Sequence, residues 1–262
     1  MSHFDDFIKR LENFVPNVSI DCVLLSHQNG SLHVLLLKWK NAAAWTLPGG
    51  FVGKGETMEE AANKVLYERT GIQNIFLKQF HTFSEVKRNW YDDQFNKDSF
   101  YQVFKGISGE NKEKISAWFS QRFISTGFLA LVNHKSVNLI ADHLSEKCEW
   151  IPLDQLPNLI LDHGTIIKKA LQQLRIQMNY LPIGKSLLPK KFTMKELQQL
   201  YEAILEKKLD RGNFQRKMLG LNMLVRHDKL MTGAANKAPY LYSFNEETYQ
   251  ELLESGIGFS IS

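Results

Sequence analysis

Apolar positions along the chain change period several times, and each change marks an element. Residues 1–15 carry Phe4, Phe7, Ile8, Leu11 and Phe14 at helical steps, which predicts a short amphipathic helix. Its role is either packing on the body or contact with a partner subunit. Ser19 to Ser26 and Leu32 to Trp39 are instead β-branched and leucine-rich runs, read as strands. The Asn29-Gly30 pair between them is a hairpin turn signal. Trp45 to Leu47 is a further apolar stretch; Ile75 to Phe83, Phe123 to Val132 and Glu149 to Leu153 also read as strands. Asp162 to Met178 returns to helical spacing, with Ile166, Ile167, Ala170, Leu171 and Leu174 as its stripe.

The stretch Gly50 to Ile72 organises the rest. Leu47-Pro48-Gly49-Gly50 reads as a tight turn opening into a glycine-rich loop through Gly55. Glu56 then leads a helix that Gly71 ends, with Ala61, Ala62, Val65 and Leu66 as its apolar stripe. This stretch resembles the Nudix box, G-x5-E-x7-R-E-U-x-E-E-x-G-U, where U is aliphatic. Gly50, Glu56, Leu66, Gly71 and Ile72 take fixed positions of that frame. The Arg-Glu pair of the family is Lys64-Val65 here, and its Glu-Glu pair is Glu68-Arg69. The strands, box helix and late helix resemble the α/β/α Nudix sandwich, an α/β fold with a mixed sheet, over about residues 16–178.

The substitutions within the box decide the chemistry expected of it. Pyrophosphate cleavage needs Mg²⁺ held by clustered hard oxygen ligands. Positions 65, 68 and 69 share one side of a helix, so a Nudix enzyme presents three carboxylates there. This chain presents Glu68 alone, beside the permanent cation Arg69. Lys64 is expected to pair with Glu56, as the family's arginine does. The expectation is a Nudix scaffold with no metal, no cofactor and no catalytic residue, unless Glu85, Asp92 or Asp93 supply carboxylates from outside the box.

Composition adds bounds. The 262 residues are 44% hydrophobic and 23% charged, ordinary for a globular chain of one large or two smaller domains. No apolar run is long enough to span a membrane and the N-terminus is not a signal peptide, so a cytoplasmic protein is expected. Cys22 and Cys148 sit in strand-like runs and read as buried thiols rather than a disulfide. Residues 84–121 form a long polar excursion holding Trp90, Tyr91, Phe95, Phe100, Tyr101, Trp118 and Phe119. Its aromatics argue that it packs, with a strand at Tyr101 to Ile107 and a helix at Lys112 to Phe119. It either covers a ligand, builds a subunit contact or is a surface excursion with its own core.

Residues 180–191 read as a linker interrupted by two prolines, dividing a sensing domain at 1–179 from a second domain at 192–262. Thr193 and Glu196 form a capping box, with Phe192 and Leu197 placed as a hydrophobic staple. Leu197, Leu200, Tyr201, Ile204 and Leu205 make the buried stripe of the helix that follows. Asp210 is an N-cap for a second helix, with Phe214, Met218 and Leu221 inward and Arg211, Asn213, Arg216 and Lys217 outward. Leu224 to Phe244 reads as a hairpin with a basic tip bearing Lys229 and Lys237. Two helices and a hairpin form a winged helix-turn-helix. Residues 186–245 hold eleven Lys and Arg against five Asp and Glu, a net of +6, whereas the rest of the chain is at −2. Arg and Asn suit base edges and Lys suits phosphates, so double-stranded DNA is the expected partner. A helical module that binds protein is the bland alternative.

A degenerate Nudix box followed by LLPKKFTMKELQQLYEAILEKKLDRGNFQRKMLGL resembles the Nudix-related transcriptional regulators over about residues 16–245. That resemblance implies a homodimer on a palindromic operator, with a Nudix domain that senses a small molecule instead of hydrolysing it. The implied effector is a pentose such as arabinose or an ADP-ribose-type nucleotide, and the box looks more like the sugar-sensing branch. Lys38, Trp45 and Arg122 are the pocket candidates, because they border strand runs near the expected cleft. The rival reading is a Mg²⁺-dependent hydrolase of a nucleoside diphosphate derivative.

Overall fold

The computed structural model describes residues 3–42, 44–71, 77–86, 88, 102, 104, 107, 109–141, 144–230 and 238–257, of which 3–6 through their backbone alone. The chain divides into two compact units. The first is Met1–Leu25, His33–Leu131 and Ser136–Ala170; the second is Ser26–Leu32, Val132–Lys135 and Leu171–Ser262.

In the first unit α1 (His3–Leu11) leads directly into β1 (Phe14–Gln28), so the helix ends before Phe14, which the spacing had assigned to it. Strands β1 and β2 (Ser31–Trp39) join at Asn29 and Gly30, whose φ of 50° and 83° are the positive values that a primed hairpin turn requires. A mixed sheet grows from β1. It pairs parallel with β6 (Ile124–Leu131), from Val18 against Ile124 to Leu25 against Leu131. It pairs antiparallel with β4 (Gly49–Gly53), Ile20 facing Gly50. Strand β2 takes β3 (Trp45–Thr46) and β7 (Ser145–Pro152), and β6 takes β5 (Leu77–Phe83).

Residues 19–26 of β1 are buried without a break, as in a strand covered on both faces. Ile20, Cys22 and Leu24 join Ala61, Ala62, Val65 and Leu66 of α2 (Met58–Thr70) in one core cluster. On the alternate face of β1, Asp21 meets His163, the first residue of α4 (His163–Gln177). Neither Cys22 nor Cys148 is in a disulfide; Cys22 is buried and Cys148 partly so.

Three local readings change. The segment after Pro48 is a strand, β4, and not a loop. Glycines lower strand propensity, but a Cβ on Gly49 would lie 2.8 Å from the Ile20 carbonyl oxygen, so only glycine lets β4 come this close to β1. The box helix starts at Met58 behind the N-cap Thr57, with a full capping box to Glu60; Glu56 lies before it. Gly71 ends it in the left-handed conformation, φ 68°. In the excursion, α3 (Glu110–Phe119) is the expected helix, but Gln102 is helical and Phe104 lies in a turn, where a strand was expected. Trp90, Tyr91, Phe95, Phe100, Tyr101, Ile72, Asp92 and Asp93 fall outside the described residues.

The second unit carries α5 (Met194–Leu205), α6 (Arg211–Gly220), β9 (Leu224–Lys229), β10 (Tyr240–Phe244) and α7 (Glu246–Ser255). Strand β8 (Phe192–Thr193) adds a third strand, in the order β8-β10-β9. Neither β8 nor α7 was anticipated. Leu221 caps α6 and is half-buried rather than a core position. Among the described residues no helix is long and apolar enough to cross a membrane.

Candidate functional site

The first unit holds a cavity of about 650 Å³ over the β4–α2 segment. Its size falls in the roughly 300–1,000 Å³ range of small-molecule sites. One wall is aromatic: Phe7, Phe14, Trp39, Phe51, Phe104 and Phe119. These rings support one another, with Phe7 stacked on Phe119 at 6.1 Å and Phe14 tilted on Phe51 at 5.5 Å. The N-terminal helix therefore builds the cavity by packing on the excursion helix. Arg10, Lys64 and Arg69 bring cations to the lining, beside Glu56 and Glu68.

The box residues hold the loop in place, and their side chains do not fit a divalent cation. Glu56 Oε1 accepts the Gly53 N–H at 2.7 Å, and Oε2 faces Lys64 Nζ at 3.6 Å, the expected pair. Glu68 lies 3.9 Å from the Arg69 guanidinium. Val65 offers only hydrocarbon; its Cγ2 would stand 3.0 Å from a Cβ on Gly50. A hard cation meets one carboxylate, one guanidinium and one isopropyl group along this helix face, which is not a Mg²⁺ donor set. Glu85 is exposed and outside the cavity lining.

At the buried end lies a polar cluster that the sequence did not reveal. Asp21 Oδ2 accepts from Arg88 Nη2 at 2.8 Å and from the Ser125 hydroxyl at 2.6 Å. Arg88 Nε donates to both oxygens of Asp162, at 3.1 and 2.9 Å. His163 Nδ1 accepts the Leu47 N–H at 3.0 Å, so Nε2 carries the ring proton, 3.4 Å from Asp21 Oδ1. Burial alone would raise the Asp21 pKa; the His163 contact, the Arg88 charge and the Ser125 hydroxyl outweigh it and hold the carboxyl well below its usual range. Burial, with the Asp21 charge adding to it, pushes the Cys22 thiol far up, which leaves it inert. Leu161, just before Asp162, has φ 53°, a left-handed backbone that costs a leucine about 1 kcal/mol.

Lys38, Trp45 and Arg122 do not line this cavity. Strand parity explains the first two. Leu37 pairs with Thr46 and both face the cavity; Lys38 pairs with Trp45 one step on, so both face away. Lys38 forms an ion pair with Glu146, and Arg122 donates to the Ser84 carbonyl oxygen.

The second unit presents a separate surface. Tyr201 of α5 meets Phe214 of α6 edge-on at 5.3 Å, fixing the helix pair. Burial raises the Tyr201 hydroxyl to about 12, despite the Ile183 N–H it accepts. The turn between the helices is fastened by Glu202, whose carboxylate accepts the Leu209 N–H at 2.9 Å and the Gln198 amide at 3.0 Å. Asp210 caps α6 through the Asn213 N–H at 2.8 Å. Arg211, Asn213, Arg216 and Lys217 all stand exposed on that helix. On the wing, Arg226 and Lys229 lie over the Tyr240 ring at 4.7 and 5.3 Å. Lys237 falls outside the described residues.

Comparison with known proteins follows the same division. The family model for the NUDIX domain matches residues 15–174, and the one for the NrtR DNA-binding winged helix domain matches residues 184–244. The ADPR responsive transcriptional repressor NtrR of Acinetobacter baylyi is 28% identical over 242 residues, 89% of this chain and 84% of that protein. The crystal structure of Shewanella oneidensis NrtR aligns with a TM-score of 0.66 at 22% identity, over 89% of this chain and 96% of that one. The same protein complexed with a 27mer DNA aligns at 0.65 and 20%, over 89% and 95%. An RNA pyrophosphohydrolase of Bartonella clarridgeiae is 23% identical over 138 residues, 52% of this chain and 73% of that enzyme. The fold is thus the Nudix fold followed by a winged helix. The expected kinship with sugar-sensing regulators gains no support from these relatives.

Proposed function

The chain belongs to the NUDIX family, and on that premise we propose that it is a DNA-binding transcriptional repressor whose Nudix cavity senses an ADP-ribose-type nucleotide. The observation that carries this reading is the box helix, where Val65 and Arg69 occupy ligand positions while the cavity above stays large and cation-bearing. Such a site can hold a nucleoside diphosphate without cleaving it. Aromatic rings suit a base, and Arg10, Lys64 and Arg69 suit phosphate oxygens. The likeness to an ADPR-responsive repressor and to a structure complexed with DNA supports both halves.

We assign sensing to residues 1–179, a linker to 180–191 and operator binding to 192–262. Arg211, Asn213 and Arg216 read base edges, and Lys217, Lys229 and Lys237 hold phosphates. A homodimer places two recognition helices about 34–36 Å apart on a palindromic site. The effector acts by binding the DNA-competent and DNA-incompetent geometries with different affinities.

The test is fluorescence anisotropy of the full chain on the DNA upstream of its own gene, at about 50 and about 200 mM salt. Specific binding that weakens steeply with salt and responds to ADP-ribose but not arabinose is expected. Equal affinity for random DNA, together with Mg²⁺-dependent release of phosphate from a nucleoside diphosphate derivative, would replace this reading with the hydrolase.

A further inference from the structure

The two ends of the cavity differ in charge, and the difference orients a ligand. Near the box, Arg10, Lys64 and Arg69 outnumber Glu56 and Glu68. At the buried end, among the described residues, one guanidinium, Arg88, faces two carboxylates, Asp21 and Asp162. His163 Nδ1 accepts the Leu47 N–H, which leaves Nε2 as the donor of the ring. Two carboxylates against one guanidinium disfavour a phosphate there. A neutral group that both donates and accepts is welcomed.

Unused hydrogen-bonding capacity points the same way. The Arg88 side chain is only 5% exposed, and its Nε and Nη2 are taken by Asp162 and Asp21. Nη1 makes no hydrogen bond to a described residue, and Arg88 lines the cavity. Asp21 Oδ2 is saturated by Arg88 and Ser125, but Oδ1 has only the long 3.4 Å contact with His163 Nε2. An oxygen acceptor, an N–H donor and a guanidinium edge therefore converge on the buried end of one cavity.

We propose that Asp21, Arg88 and His163 form a subsite for the vicinal hydroxyls of a sugar, with Asp21 Oδ1 accepting from one hydroxyl and His163 Nε2 donating to its neighbour. The inference deepens the ADP-ribose reading and rests on it. It fixes the direction of binding, with the diphosphate toward Arg10, Lys64 and Arg69 and the terminal ribose at Asp21. It also makes Asp21 and His163 the residues that separate ADP-ribose from ADP.

Calorimetric titration of the full chain with ADP-ribose, ADP and arabinose tests this. The wild type should bind ADP-ribose about tenfold or more tighter than ADP, the effect of hydrogen bonds to a charged group. Asp21→Asn should bring ADP-ribose down to the level of ADP and leave ADP unchanged. His163→Asn keeps an acceptor for the Leu47 N–H, removes the Nε2 donor, and should act in the same direction. It carries the test if the thermal unfolding of Asp21→Asn shows a misfolded protein. Equal weakening of both nucleotides, an unchanged preference, or no preference in the wild type would overturn the subsite. Arabinose binding without nucleotide binding, lost in Asp21→Asn, would overturn the ADP-ribose reading and keep the subsite. Binding of none of the three ends both.

Discussion

The Arg88 guanidinium meets the Asp21 carboxylate at 2.8 Å across 67 residues of chain, and both side chains are nearly sealed from solvent. A buried ion pair of this kind adds little net stability as a pair, but removing one member strands the other. Arg88→Ala leaves Asp21 and Asp162 facing each other without a cation, so it should cost about 3–5 kcal/mol in urea unfolding. A loss under 1 kcal/mol would show that water reaches the site freely.

The same pair sets an acid dependence. Asp21 is held well below the usual carboxylate range, so the unfolded chain takes up its proton first as pH falls. Its contribution is fully present above the unfolded value of about 4 and is lost progressively as pH falls below it. The urea midpoints at pH 7 and at about pH 3 should therefore differ less in Asp21→Asn than in the wild type. An identical acid-induced drop would remove Asp21 as a source of it.

The cluster was illegible in the sequence for a physical reason. Asp21, Arg88 and His163 are single residues on a strand, an excursion and a helix start, and no local period links them. The capped helices were legible, because Thr57-Glu60, Thr193-Glu196 and Asp210 are start signals written within one turn. Asn245 carries a comparable signal for α7, accepting the Thr248 N–H, and could have been read. That Lys38 and Trp45 face away from this cavity was not legible either, because strand runs buried on both sides give no alternation from which to read parity. The two-residue β8 exists only by pairing with β10, which no local signal encodes.

Two glycines of the box segment should respond unequally to alanine. At Gly49 the new methyl would sit 2.8 Å from the Ile20 carbonyl oxygen and 3.0 Å from Asp21 Oδ1, between two strands that cannot part cheaply. Gly49→Ala should cost about 1–3 kcal/mol. At Gly55 nothing lies within 4 Å and the backbone is not left-handed, so Gly55→Ala should stay within about 0.5 kcal/mol. Thermal melting of the two variants side by side decides it; equal shifts would mean that the β1–β4 approach yields.

Restoring carboxylates tests the account of the box. Val65→Glu with Arg69→Glu would put three carboxylates on the helix face that carries Glu68. Mg²⁺ at ten times its dissociation constant raises stability by about 1.4 kcal/mol. The double variant should show such a Mg²⁺-dependent rise in melting temperature, and the wild type should not. A rise in the wild type would mean that oxygen ligands from elsewhere in the chain complete a site.

On the winged helix, Arg216 and Lys217 are adjacent and both exposed, yet they should fail differently. A guanidinium can bond two acceptors of one guanine, whereas an ammonium acts on phosphate as a point charge. Arg216→Ala should cost about 1–3 kcal/mol on the operator and little on random DNA, narrowing the gap between them. Lys217→Ala should weaken both about equally and lower the salt slope by about one. Asp210→Ala, which removes the cap of the same helix without removing a basic group, should cost about 1 kcal/mol of stability and weaken DNA binding through helix order alone. If Arg216→Ala behaved like Lys217→Ala, the helix would be holding the backbone of the DNA and the base readout would have to come from the wing, where Arg226 lies over Tyr240.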